Sequence, residues 1–161
     1  MTTNKQQREV IKRRLAAWGS ARNDCEWRMD EIKALQKQLE DADNILRAQK
    51  IDDMPRGTGV GDPTNMAMQV RERTAKRIAR LLEEVNEIMA DKEQMDAAID
   101  LLPERYKHML DLRIVKGKSL SVEIPRLMHI SERTAAYWMD DILEKLHLYF
   151  ESLHDIAESL E

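Results

Sequence analysis

Apolar residues recur at three- and four-residue steps through most of this chain, the spacing that puts side chains on one face of an α-helix. In the first third, Ile11, Leu15, Trp18, Cys25, Met29, Ile32, Leu35, Leu39, Ala42 and Leu46 keep this rhythm, with Ala21 or Arg22 at one gap and a phase slip near Ile32. Thr3 and Gln6 have capping-box spacing, and from there to about Ala48 there is no Pro and only Gly19. One long helix carrying an interrupted coiled-coil seam is expected.

The next stretch, 51–64, concentrates three of the five Gly and two of the four Pro, and it is the clearest break in the chain. Its GTGVG is too short between Gly57 and Gly61 for a phosphate-binding loop, and Asp62-Pro63 stand where a Lys and a Ser or Thr are needed. A turn is the better reading, with Asp62 capping a new helix and Pro63 at its first position. Beyond it, Thr74, Ile78, Leu81, Val85, Ile88, Met95, Ile99 and Leu102 step by three and four, with Lys92 in the one gap. Two helices of this length joined by a loop at 51–63 can zip into an antiparallel hairpin, or several chains can associate in parallel.

From 102 the rhythm shortens. Leu102-Pro103 ends one helix and begins another, in which Tyr106, Met109, Leu110 and Ile114 share a face. Lys116-Gly117-Lys118 has the Gly and cations of a helix C-terminus. Ser121 is placed to cap a second short helix with Ile124, Leu127 and Met128 on its apolar face, His129-Ile130 forms the turn, and Ser131 caps a third helix whose inward positions are Ala135, Met139, Ile142 and Leu146. Two short helices feeding a longer one is a helix-turn-helix layout. The heptad-like spacing then continues through Tyr149 or Phe150, Leu153, Ile156 and Leu160.

Composition fits narrow helix seams better than one thick core. The 161 residues are 42% hydrophobic, 35% charged and only 4% aromatic, against roughly 25% charged in a typical globular chain. A single Cys excludes an internal disulfide, and ten Met without a secretory segment point to an intracellular setting. No apolar run reaches the roughly 18 residues of a membrane span. The net charge of −4 hides an asymmetry: residues 5–28 and 105–133 each carry seven basic and three acidic side chains, whereas in 134–161 only Lys145 opposes seven carboxylates. Such separation suits a protein with one face toward phosphate and another away from it. The basic residues around Arg14 fit a solvated helix face better than a nucleic-acid contact.

The stretch LPERYKHMLDLR, a Gly-containing turn and EIPRLMHISERT resemble region four of sigma factors. Matching positions are Leu102, Pro103, Leu112, Arg113, Gly117, Glu123, Ile124, Leu127, Ile130, Ser131 and Thr134. Over a wider span, the long helical N-terminal part, the Met-Pro-Arg-Gly loop from Met54 and this C-terminal module are similar to phage late-transcription activators of the RinA and ArpU type. The resemblance implies a DNA-binding activator of phage late genes. Three positions depart from the sigma pattern: Pro125 stands in place of Ala, one extra residue lies between Gly117 and Ile124, and His129 replaces the turn Gly.

If the module reads DNA, the third helix enters the major groove with its first turns against the bases. The outward positions are Glu132, Arg133, Ala136 and Tyr137, where Arg133 offers two donors to guanine and Glu132 can accept from cytosine. Lys116, Lys118, Arg126 and Ser131 are placed for phosphates, which position a protein without reading sequence. Asp140 and Asp141 repel a phosphate backbone and mark where the helix leaves the groove. Trp138 reads as packing, and so does Cys25 on its apolar stripe.

Catalytic chemistry finds no constellation. The four His are scattered, and His147, Glu151 and His154 lack a convincing third metal ligand, so no enzyme, metal or cofactor is expected. The expectation is an all-α protein with a helical hairpin or coiled coil over 1–101 and a helix-turn-helix module with an extended last helix over 102–161. It is expected to bind promoter DNA as a homo-oligomer, to contact RNA polymerase and to work in the bacterial cytoplasm without touching membrane. A small-terminase-like packaging protein and a coiled-coil adaptor without nucleic acid are the alternatives.

Overall fold

A reciprocal pair of side-chain bonds opens the first helix. Asn4 Oδ1 accepts from the Gln7 backbone N–H and Gln7 Oε1 accepts from the Asn4 N–H, both at 2.9 Å. The capping box expected at Thr3 and Gln6 therefore lies one residue later, where Asn4 immediately precedes a helix starting at Lys5. The computed structural model describes residues 3–51 and 63–161. Among these the regular structure is all helical: α1 (Lys5–Ile51), α2 (Pro63–Asp100), α3 (Glu104–Leu110) running into a π-helical turn (Asp111–Val115), α4 (Glu123–Met128) and α5 (Glu132–Ser159). The GTGVG segment and the Asp62 cap lie outside the described residues, while Pro63 does open α2.

The chain divides into two compact units, Asn23–Met89 and a second made of Met1–Arg22 with Ala90–Glu161. In Asn23–Met89, α1 and α2 pair antiparallel within one chain. Arg28 Nε meets Glu84 Oε2 at 2.8 Å, Arg77 Nη2 meets Glu31 Oε1 at 3.1 Å and Arg71 Nε meets Asp43 Oδ1 at 3.2 Å, so numbers rise along α1 as they fall along α2. Ile32, Ala42, Ala67, Thr74 and Leu81 are buried along the seam.

Met29, expected on that seam, is exposed, and the neighbouring Arg28 is half-buried instead. With Arg28 in that place the inward positions are Cys25, Arg28, Ile32, Leu35, Leu39, Ala42 and Leu46, at alternating steps of three and four, and the phase slip disappears. Arg28 can serve at an inner position because its stem packs while its guanidinium reaches Glu84 and the Asp24 carbonyl, the latter at 3.1 Å.

The second unit holds a core to which both ends of the chain contribute. Ile11 and Leu15 of α1 are buried in one cluster with Met95, Ala98 and Ile99 of α2, Tyr106, Met109 and Leu110 of α3, Ile124 of α4, and Ala135, Ile142, Leu143 and Leu146 of α5. Polar contacts follow the same course. Trp18 Nε1 donates to Asp96 Oδ1 at 2.8 Å, the Arg14 guanidinium lies 3.7 Å from the Phe150 ring centre, and Arg8 Nη1 meets Asp140 Oδ1 at 3.4 Å. Two of the N-terminal cations thus have partners inside this unit. Burial along α5 ends near Phe150, and residues 151–161 are exposed, so Leu153, Ile156 and Leu160 continue the apolar stripe without covering it.

Candidate nucleic-acid interface

The turn that leads into the helix-turn-helix begins with an irregularity in α3. The Lys116 N–H bonds to the Asp111 carbonyl five residues back, at 3.0 Å, which widens the last turn into π geometry. Gly117 follows at φ +66° and needs no Cβ in that left-handed conformation. The Lys118 N–H returns to the Leu112 carbonyl at 2.9 Å and closes the end. Arg113 Nη1 donates to the Lys118 carbonyl at 3.2 Å, and Lys116 Nζ pairs with Asp111 Oδ2 at 3.3 Å. Of the two lysines expected at phosphate, Lys116 is exposed and Lys118 half-buried.

Capping of α4 falls to Ser119 rather than Ser121. Ser119 Oγ accepts from the Glu123 N–H at 3.0 Å while Glu123 Oε2 accepts from the Ser119 N–H at 2.8 Å. The reciprocal arrangement satisfies two donors, as in a capping box with one more residue between the partners. Pro125 is the third residue of α4, within the first turn, where a backbone N–H has no intrahelical acceptor to lose. Ile124 is buried and Met128 half-buried, but Leu127 is exposed and leaves the apolar face it was assigned.

His129 ends α4 at φ 55° and ψ 44°, the left-handed conformation that usually belongs to Gly. The Ile130 N–H returns to the Pro125 carbonyl at 3.0 Å, completing a Schellman-type closure. Ser131 then caps α5 as expected, its Oγ accepting from the Thr134 N–H at 3.1 Å and donating to Thr134 Oγ1 at 2.8 Å. That hydroxyl is exposed, but its donor and one of its acceptor positions already serve the cap.

The first turns of α5 separate cleanly into two faces. Ala135 and Ile142 are buried and Trp138 and Met139 half-buried, while Glu132, Arg133, Ala136 and Tyr137 are all exposed. Arg126, on α4, is exposed too. Arg133 and Arg126 make no ion pair among the described residues. Trp138 stacks in a tilted pair with Tyr106, ring centres 5.9 Å apart, which fits its expected packing role.

Farther along α5 the carboxylates have internal partners. Asp141 Oδ2 accepts from the Tyr106 hydroxyl at 2.5 Å, and Asp140 meets Arg8. Burial, and then the Asp141 carboxylate beside it, push the Tyr106 phenol above its ordinary value; Arg105 opposes them in part. The two acids read as a boundary against phosphate also tie α5 to α3 and to α1. Sequence reasoning missed these ties, and the only signal for them was a Tyr on the apolar face of α3 with a hydroxyl that needs a partner when buried.

No cluster of three or more metal-ligating side chains occurs among the described residues, and no helix there is long and apolar enough to cross a membrane. No family model, curated protein or solved structure matches this chain.

Proposed function

We propose that the protein is a sequence-specific DNA-binding activator of transcription, of the phage late-gene kind that the resemblance implies, and that it reads promoter DNA with the first two turns of α5. The observation that carries this reading is the division of α5 after its Ser131 cap, with Ala135 and Ile142 packed inward and Glu132, Arg133, Ala136 and Tyr137 outward. A helix so capped, set after a three-residue turn and held on a packed core, suits insertion into a major groove. Arg133 then takes the guanine-reading role and Glu132 the cytosine-reading one. Lys116, Lys118 and Arg126 take the phosphates, while the Ser131 hydroxyl, expected there too, spends its proton on Thr134 Oγ1 and holds the cap instead.

The acidic end of α5 is the surface we assign to RNA polymerase, because its exposed Leu153, Ile156 and Leu160 lie among Glu151, Asp155 and Glu158 and face away from any role in the core. In this reading the protein works as a homo-oligomer in the cytoplasm of a bacterial host and needs no cofactor or catalytic chemistry. A salt series on DNA upstream of candidate late genes separates the two kinds of contact. Arg133→Ala is expected to flatten sequence preference, whereas Lys118→Ala weakens binding to all duplexes and lowers the salt slope by about one unit. Equal effects of the two substitutions on specific and random DNA would remove α5 as the reading element.

A further inference from the structure

We infer that the exposed edge of α2 in the Asn23–Met89 unit is a self-association surface, pairing antiparallel with the same edge of a second copy of this chain. The apolar residues Met68, Leu82 and Met89 are 57%, 44% and 40% exposed, and with exposed Ala75 they recur at seven-residue steps. Leu82 directly follows buried Leu81, and Met89 follows half-buried Ile88. The strip therefore flanks the seam that α2 already makes with α1, widening the apolar face from two positions per heptad to three, the pattern of a helix that belongs to a bundle of more than two.

Sequence and charge identify the occupant. In an antiparallel pairing centred between Ile78 and Ala79, Met68 meets the partner's Met89 and Ala75 meets the partner's Leu82, so that each large side chain at the centre lies opposite a small one. Charge along α2 is polarised about the same point. Residues 71–80 contain five basic side chains and one acidic, whereas residues 81–90 contain three acidic and none basic; with Arg71, Arg77 and Glu84 paired to α1 and Lys76 to Glu72, Arg73 and Arg80 remain in the first half and Glu83 and Glu87 in the second. Antiparallel pairing sets the basic half of each helix against the acidic half of its partner; parallel pairing sets like against like. The strip from Met68 to Met89 is about 33 Å long at 1.5 Å per residue. A two-fold contact of this kind is isologous and closes at a dimer.

This deepens the homo-oligomer in the proposed function but does not depend on DNA recognition, so it is tested without DNA. Light scattering and sedimentation of the full chain are expected to give twice the 18.8 kDa chain mass. Leu82→Glu, at an exposed site, is expected to retain its helical circular dichroism while its dimer dissociation constant rises roughly 30-fold or more, the effect of removing a central contact. In a Cys25→Ser background, Ala79→Cys should cross-link to itself, whereas Met68→Cys should cross-link only when mixed with Met89→Cys. A monomeric wild type, an unchanged Leu82→Glu dimer, or self-cross-linking of Met68→Cys would each overturn the proposal.

Discussion

Gly19 of α1 lies so close to Ile114 that a Cβ built on it would stand 2.5 Å from Ile114 Cγ2 and 3.1 Å from the Ile114 carbonyl oxygen. The contact joins the first helix to the π-helical turn that precedes the helix-turn-helix. It accounts for the one Gly in α1, which in an exposed helix interior costs about 1 kcal/mol relative to Ala.

Gly19→Ala should therefore destabilise rather than stabilise. The added methyl gains helix propensity but overpacks the contact, and overpacking costs about 1–3 kcal/mol. Ile114→Leu lacks Cγ2 and should recover much of the loss in the double variant. Urea unfolding of the four proteins checks the coupling; a stabilised Gly19→Ala would show that the backbone approach is not tight.

His129→Gly should stabilise the protein by about 1 kcal/mol, because an L-residue in the left-handed region carries a penalty that Gly avoids. The substitution leaves the α5 face unchanged. Thermal unfolding reads it as a rise in Tm with DNA affinity intact, and an unchanged or lower Tm contradicts the assignment of strain to this turn.

Acid should weaken the contact between Trp18 and Asp96. Burial alone would raise the Asp96 carboxyl, but Lys92 Nζ at 2.7 Å and the Trp18 indole N–H outweigh it and hold the group below its ordinary value. A carboxyl depressed in the folded state contributes stability above its unfolded value of about 3.9 and loses that contribution as pH falls through the folded value. Asp96→Asn should therefore cost stability at neutral pH, and its difference from wild type should shrink as pH falls through the folded value. Parallel curves across that range would contradict it.

Tyr106 gives the opposite limb. Its phenol is raised in the folded state, so the unfolded chain loses its proton first and stability falls as pH climbs above about 10. Tyr106→Phe removes the donor to Asp141 and should destabilise by about 1–2 kcal/mol at neutral pH while making the alkaline decline shallower. Denaturation midpoints between pH 7 and about 11 measure both effects.

Much of this architecture was legible in residue spacing. The second stripe matches because Thr74 and Leu81 are buried along the seam with α1, and Met95, Ile99 and Leu102 are buried in the core of the other unit. Legibility failed where a long polar side chain took an inward place, as Arg28 did in place of Met29, and where caps used wider spacing than expected, as Ser119 with Glu123 did. The core was least legible of all. Ile11 and Leu15 lie far in sequence from Ile124 and Ile142, and periodicity says which face is buried without saying against what. The outward residues of α5 were readable because Ser131 fixes the helix start and a 3.6-residue period fixes the rest, whereas the internal ties of Asp140 and Asp141 required tertiary contacts.

The central claim is that α5 reads DNA sequence, and the most direct measurement is wild-type affinity for duplex from upstream of candidate late genes against random duplex across a salt series. The account predicts a preference of about 1,000-fold or more that persists as salt weakens both. Equal affinity for the two duplexes at every salt concentration would contradict it.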